Sequence, residues 1–156
     1  MANLDEAIRR IDGMIEDFRQ LPSKIELYGV NQAKGIILIR VFSKGQDADG
    51  RQIGTYKGGK KGYYKAKRNK QGRRVDTVDL QFTGKLFESI DVVNENGKPR
   101  LAIANANRSD VANHLEVKYG KDIFTIKGIE LEQLMAKVTL YATEQFDKIV
   151  AKWSQE

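Results

Sequence analysis

Apolar residues recur at helical spacing at both ends of this chain and fall into short extended runs between them. Leu4, Ile8, Ile11, Ile15 and Phe18 follow one another at intervals of four and three, which places them on one face of a first helix. Asn3 stands at the cap position and Glu6 three residues later, the spacing of a capping box. Pro22 is expected to close this helix, because the residue before a proline avoids helical angles. A second helix then carries Leu27, Val30, Ala33, Ile37 and Val41 in one stripe, broken by Lys34 and stopped at Lys44-Gly45.

The middle of the chain reads differently. The run 45–54, "GQDADGRQIG", is turn-rich. Val78–Phe82 and Leu86–Val93 read as strands, "NENGK" at 94–98 as a hairpin turn, and Leu101–Ala104 as the returning strand. A short helix over Ser109–Tyr119 is expected to end at Gly120. The last stripe is the longest: Leu131, Leu134, Met135, Val138, Tyr141, Ala142, Phe146, Ile149 and Trp153, interrupted by Gln145. A helix of that length has to cover a sheet or a neighbouring subunit. The expected fold is therefore α+β in one domain spanning 1–156. It has two N-terminal helices, a long basic loop at about 46–77, a small antiparallel β-sheet, and a long C-terminal helix packed on the sheet.

Charge sharpens this picture. The net charge is +6, yet residues 51–75 hold ten bases and no acid, leaving 17 bases against 21 acids elsewhere. A mildly acidic body thus carries one basic segment, formed by Arg51, Lys57, Lys60, Lys61, Lys65, Lys67, Arg68, Lys70, Arg73 and Arg74. Tyr56, Tyr63 and Tyr64 are interleaved with them. Such a segment suits stacking and phosphate contacts on nucleic acid, and it equally suits an acidic protein surface. Composition leaves both open.

Other chemistry finds little support. Gly54-x-x-x-x-Gly59-Lys60-Lys61 stops one residue short of a phosphate-binding loop, with lysine where the magnesium hydroxyl belongs and a polar turn where a buried strand belongs. Asp47-x-Asp49-Gly50 has part of a calcium-loop spacing, but Gly45 and Tyr56 occupy its first and twelfth positions, so a β-turn is expected. His114 is the single histidine and there is no cysteine, which removes two-histidine metal sites, thiolate chemistry and disulfides. With Asp110 one turn earlier, His114 reads as a surface pair. No enzyme activity, cofactor or metal is expected. No apolar run approaches the ~20 residues that span a bilayer, and the first ten residues do not have the pattern of a secretory signal.

The stretch "VDTVDLQFTGKLFESI", Val75 to Ile90, carries the pattern D-L-x-x-T-G-x-L-x-x-S-I on Asp79, Leu80, Thr83, Gly84, Leu86, Ser89 and Ile90. Before it stands G-x-D-x-x-G on Gly45, Asp47 and Gly50, and after it A-x-x-L-E-x-x-Y-G on Ala112, Leu115, Glu116, Tyr119 and Gly120. In this order the motifs resemble the tail-completion or neck proteins of tailed bacteriophages, from about Ile36 onward. Where many of those proteins have an arginine-proline-phenylalanine-like stretch, this chain has Lys121-Asp122-Ile123-Phe124. The resemblance implies a non-enzymatic structural subunit of a closed homo-oligomeric ring, touching portal, connector or tail proteins, with DNA in the channel as a further candidate contact. It implies assembly in the host cytoplasm, a final place in the virion neck or tail, and no membrane. The basic residues of 51–74, with Tyr63 and Tyr64, would then contact a neighbour or DNA. The alternative is a nucleic-acid-binding accessory protein using the same segment.

Overall fold

The computed structural model describes residues 4–56, 62–80, 84–104 and 106–154, without the side chains of Tyr63, Tyr64 and Ala106. Its first element is one helix, α1, Leu4–Ile37, which continues as a π-helical segment over Leu38–Lys44. The expected break at Pro22 does not occur. A proline inside a helix costs about 3 kcal/mol, but packing against the C-terminal helix holds α1 on both sides of it. Phe18 meets Phe146 at a ring separation of 5.4 Å, and Tyr28 stacks on Tyr141 at 4.1 Å. Tertiary packing here outweighs the local preference. The helical reading of 27–41 holds, and Gly45 ends the segment in a left-handed conformation, φ 69°. A Cβ on Gly45 would lie 2.7 Å from the Val78 carbonyl oxygen, so the position needs glycine for space as well as for angle.

Helix α2, Tyr63–Lys70, lies inside the span expected to be a loop. Helix α3, Lys85–Ser89, replaces the first half of the expected 86–93 strand. Leu86 and Ile90 are both buried, but a separation of four residues puts two side chains on one face of a helical turn and of a strand alike, so their spacing does not distinguish the two. Val78–Leu80 is also not a strand, and the rest of that expected strand falls outside the described residues. The sheet is the hairpin β1, Ile90–Glu95, with β2, Lys98–Ile103. Asn96 (φ 54°) and Gly97 (φ 80°) supply its two left-handed turn positions, as the sequence predicts. Pro99 has no N–H to offer on β2, and the Val92 N–H of β1 is bonded to Asp91 Oδ1, so the hairpin's edges are blunted against further strands.

Helix α4, Ala106–Tyr119, ends at Gly120 (φ 62°), and α5 runs from Gly128 to Ser154. The architecture is mixed, helical with a small two-stranded antiparallel sheet and a long C-terminal helix. The expectation that α5 packs on the sheet is corrected: α5 packs antiparallel along α1, and the sheet packs on α1 as well. The buried core gathers around the far end of this helix pair, from Ile37, Val41, Phe42, Ile53, Val78, Leu86, Ile90, Ala112 and Ile123. No residue of α5 is fully buried, and in α1 the buried residue is Ile37. The molecule is therefore a packed head from which a two-helix arm projects.

Arg40 joins the two parts. It is buried, its Nη2 donates to the Ile123 and Thr125 carbonyls at 2.6 and 2.8 Å, and its Nη1 meets Glu130 at the start of α5. Lys34, the break in the second stripe, reaches Asp91 of β1 at 2.8 Å and ties the hairpin to α1.

Candidate functional site

The basic segment begins on a turn built around Asp47. Its Oδ1 accepts the N–H groups of Asp49 and Arg51 at 3.0 and 2.9 Å, and Lys121 Nζ lies 3.3 Å from Oδ2. Burial opposes ionisation of this carboxyl, but the Arg51 and Asp49 N–H groups and the Lys121 ammonium outweigh it and hold its pKa below the usual carboxylate value. The expected β-turn is therefore present, with Gly50 at φ 75° and its N–H on the Asp47 carbonyl. A shallow depression of about 470 Å³ lies beside it, lined by Asp47, Asp49, Arg51, Glu116, Lys121 and Asp122. Its acids are engaged: Asp49 and Asp122 flank Lys127 at 3.0 and 2.9 Å, and Glu116 Oε1 accepts the N–H groups of Ile123 and Phe124. Among the described residues no group of three or more acids or histidines is placed to hold a metal ion.

From this turn the chain runs past Gly54, whose carbonyl accepts the Val78 N–H at 2.9 Å, to Tyr56 and then into α2. Arg68 points from α2 into the protein and is fully buried, at 0 % exposure. Its Nη2 lies 2.7 Å from both carboxylate oxygens of Asp79, and its Nε donates to the Arg74 carbonyl at 2.8 Å. The guanidinium sits 4.5 Å from the centre of the Tyr56 ring, and the Tyr56 hydroxyl donates to Asp79 Oδ1 at 3.1 Å. Three separate parts of the chain are thus clamped by charge-assisted hydrogen bonds and a cation–π contact. Gly72 closes α2 at φ 64°, with the Gly72 N–H on Asn69 and the Arg73 N–H on Arg68, the two bonds of a Schellman cap.

This geometry sorts the expected contact residues. Arg68 is not available to a partner; it anchors the segment. Lys67 and Lys70 stand one turn apart on the opposite side of α2, and both are exposed, as are Arg51, Arg73 and Arg74. Arg74 also donates to the Ser43 carbonyl at 3.0 Å. Lys65 is partly buried. Tyr63 and Tyr64 open α2. Their side chains, and Lys57, Lys60 and Lys61 with the phosphate-loop resemblance, lie outside the described residues. Lys67, Lys70, Arg73 and Arg74 form a basic ridge on α2 and its cap, and Arg51 lies on the Asp47 turn.

The described residues of the other motif occupy structural positions. Asp79 is the clamp's acid, and Leu80 follows it at φ 52°, an unfavourable angle for a bulky side chain. Gly84 turns at φ 76°, Leu86 and Ile90 enter the core, and Ser89 Oγ donates to the Leu86 carbonyl at 2.8 Å. Thr83 lies outside the described residues. Glu116 and Arg40 are the two anchoring residues that periodicity does not single out; the signal for Arg40 is a charge inside the apolar run "IILIRV". His114 and Asp110 both lie exposed on α4.

Comparison with protein-family models, with curated proteins and with solved structures finds no match to this chain.

Proposed function

We propose that this chain is a non-enzymatic structural subunit of a bacteriophage neck or tail-completion ring, joining the head's portal or connector to the tail within the virion. The observation that carries the reading is where the family-like motifs fall. Asp47 and Gly50 build the turn from which the basic segment leaves, and Asp79 holds Arg68, the buried base among the segment's described residues. Gly84, Leu86 and Ile90 seat the adjoining chain in the core, while Glu116 and Gly120 organise the linker to α5. These residues fix a basic ridge to the head of the molecule, and that ridge meets an acidic surface on a neighbouring copy, a portal or a tail protein. A closed ring requires such a heterologous contact, one surface against a different one.

The test is genetic and visual. Removing this chain from the phage that encodes it should leave heads and tails unjoined, and supplying it in trans should restore particles. A variant with Lys67, Lys70, Arg73 and Arg74 changed to serine should fold and fail to restore them. Joined, infectious particles without the chain overturn the reading.

The exposed bases Arg51, Lys67, Lys70, Arg73 and Arg74 also favour a second reading, a nucleic-acid-binding accessory protein. Four phosphate contacts would give a salt slope of about −3 to −4 in log affinity against log salt on duplex DNA. Absence of binding at low salt removes this reading and leaves the first.

A further inference from the structure

The two parts of the molecule differ in how deeply they are buried. Among the described residues, the buried side chains all lie between Ile37 and Ile123. Ile37 is the last residue of α1, and α5 has no buried residue along its 27. The arm is held by half-covered side chains instead; Phe146, which meets Phe18, is 49 % exposed. Helices in water owe most of their stability to packing, and segments with little buried apolar area open at a fraction of the cost of global unfolding. α5 can therefore leave α1 without taking a residue out of the buried core.

Three features mark where such an opening starts and stops. Gly128 begins α5 at φ 56°, a left-handed angle that glycine adopts freely, so the helix hangs from a flexible joint. Two residues on, Glu130 meets the buried Arg40, with side chains 26 % and 4 % exposed. This pair ties the first turn of α5 to the head, and breaking it leaves the guanidinium on two carbonyls with no counter-charge. Pro22 lies inside α1, carried by the Phe18–Phe146 and Tyr28–Tyr141 contacts on either side of it. When α5 leaves, both contacts go, and the tendency of proline to end a helix returns. The last turn of α1 stays with the head through Lys34 and Asp91.

We infer that the arm is a conformational device that opens as a unit while the head stays folded. Breaking Arg40–Glu130 is the release, Gly128 is the hinge, and α1 then breaks at Pro22. The two states belong to the chain alone, so the device goes beyond the neck reading and is measured without a phage.

The test is amide hydrogen exchange on the full chain. Residues 4–21 and α5 should be at least ~100-fold less protected than residues 37–44. Ile53→Val trims the core and should lower protection in the head about 3–10-fold, leaving α5 as it was, because the head stays folded when the arm opens. Glu130→Gln should lower protection of α5 at least ~10-fold. A Cβ on Gly29 would lie 3.3 Å from Val138 Cγ2, so Gly29→Cys with Val138→Cys can be joined by a disulfide in a chain that has no other cysteine. The oxidised form should bring α5 to the protection of the head, and reduction should reverse this. Equal protection of arm and head in the unmodified chain, or an equal loss in both from Ile53→Val, overturns the inference. Unchanged α5 protection in Glu130→Gln overturns the release at Arg40. Failure on any of these counts leaves the neck reading standing, and joined particles without the chain leave this one standing.

Discussion

Arg68 and Asp79 are the two residues that turn a run of bases into a fixed surface: one guanidinium nitrogen lies 2.7 Å from both carboxylate oxygens, with the pair 0 % and 7 % exposed. Arg68 is one of ten bases within 25 residues, and among those described it is the buried one. Because Asp79 and the Arg74 carbonyl follow α2 and Tyr56 precedes it, Arg68 ties together the chain on both sides of this helix.

Removing either member of this pair strands the other in a buried site. Arg68→Met or Asp79→Leu alone should therefore cost about 3–5 kcal/mol in urea denaturation. The double variant should cost clearly less than the two together, since apolar replacement of a whole buried pair is often near neutral. Additive losses would mean that the two residues act separately.

Gly13 and Trp153 close the tip of the arm. A Cβ on Gly13 would lie 2.5 Å from the indole, which is a stiff ring, so Gly13→Leu should force it away. Overpacking of this kind costs about 1–3 kcal/mol. Trp153 is the chain's one tryptophan, so its fluorescence should shift to longer wavelength as it becomes solvated. Gly35→Ala is the control: nothing lies within 4 Å of the added carbon, and a mid-helix alanine should stabilise by about 0.5–1 kcal/mol.

Asp17 makes the same tip sensitive to acid. Lys152 donates to it at 2.7 Å and the Trp153 indole at 3.0 Å, and these bonds hold its pKa below the ordinary aspartate value. A carboxyl with a depressed folded pKa contributes stability above its unfolded pKa of about 3.9 and loses it as pH falls through the lower folded value. Fluorescence of Trp153 should therefore be constant from neutral pH down to about 4 and change below that. Asp17→Asn should abolish the acid-linked change.

The ridge should act through charge. Changing Lys67, Lys70, Arg73 and Arg74 to serine touches no buried side chain, and surface substitutions of this kind stay within about 0.5 kcal/mol each. Arg74 gives up its bond to the Ser43 carbonyl. Thermal melts should move little, while binding to purified portal or tail proteins should fall and lose its salt dependence.

What the sequence made legible was periodicity and punctuation. The helices at both ends, the Asn96-Gly97 turn, the Asp47 turn and the Gly120 stop follow from spacing and from residues that tolerate left-handed angles. Partners were less accessible. The α5 stripe shows that one face seeks cover, but nothing in its period says that α1 and not the sheet provides it. Pro22 reads as a stop because the packing that carries α1 through it lies more than a hundred residues away. Arg68 is hidden by its neighbours, since composition averages it with bases that face water. Asp79, an acid flanked by Val78 and Leu80, is the trace its partner leaves in the sequence. Lys34 and Arg40 are similar traces, charges within apolar stripes that mark ties to Asp91 and Glu130.

If the proposed role is right, the most direct test is electron microscopy of phage particles made with and without this chain. The account predicts full heads and finished tails that stay apart in its absence, and density for the chain at the joint, ridge toward a neighbouring protein, when it is restored. Normally joined particles lacking the chain, or density for it away from the joint, would contradict it.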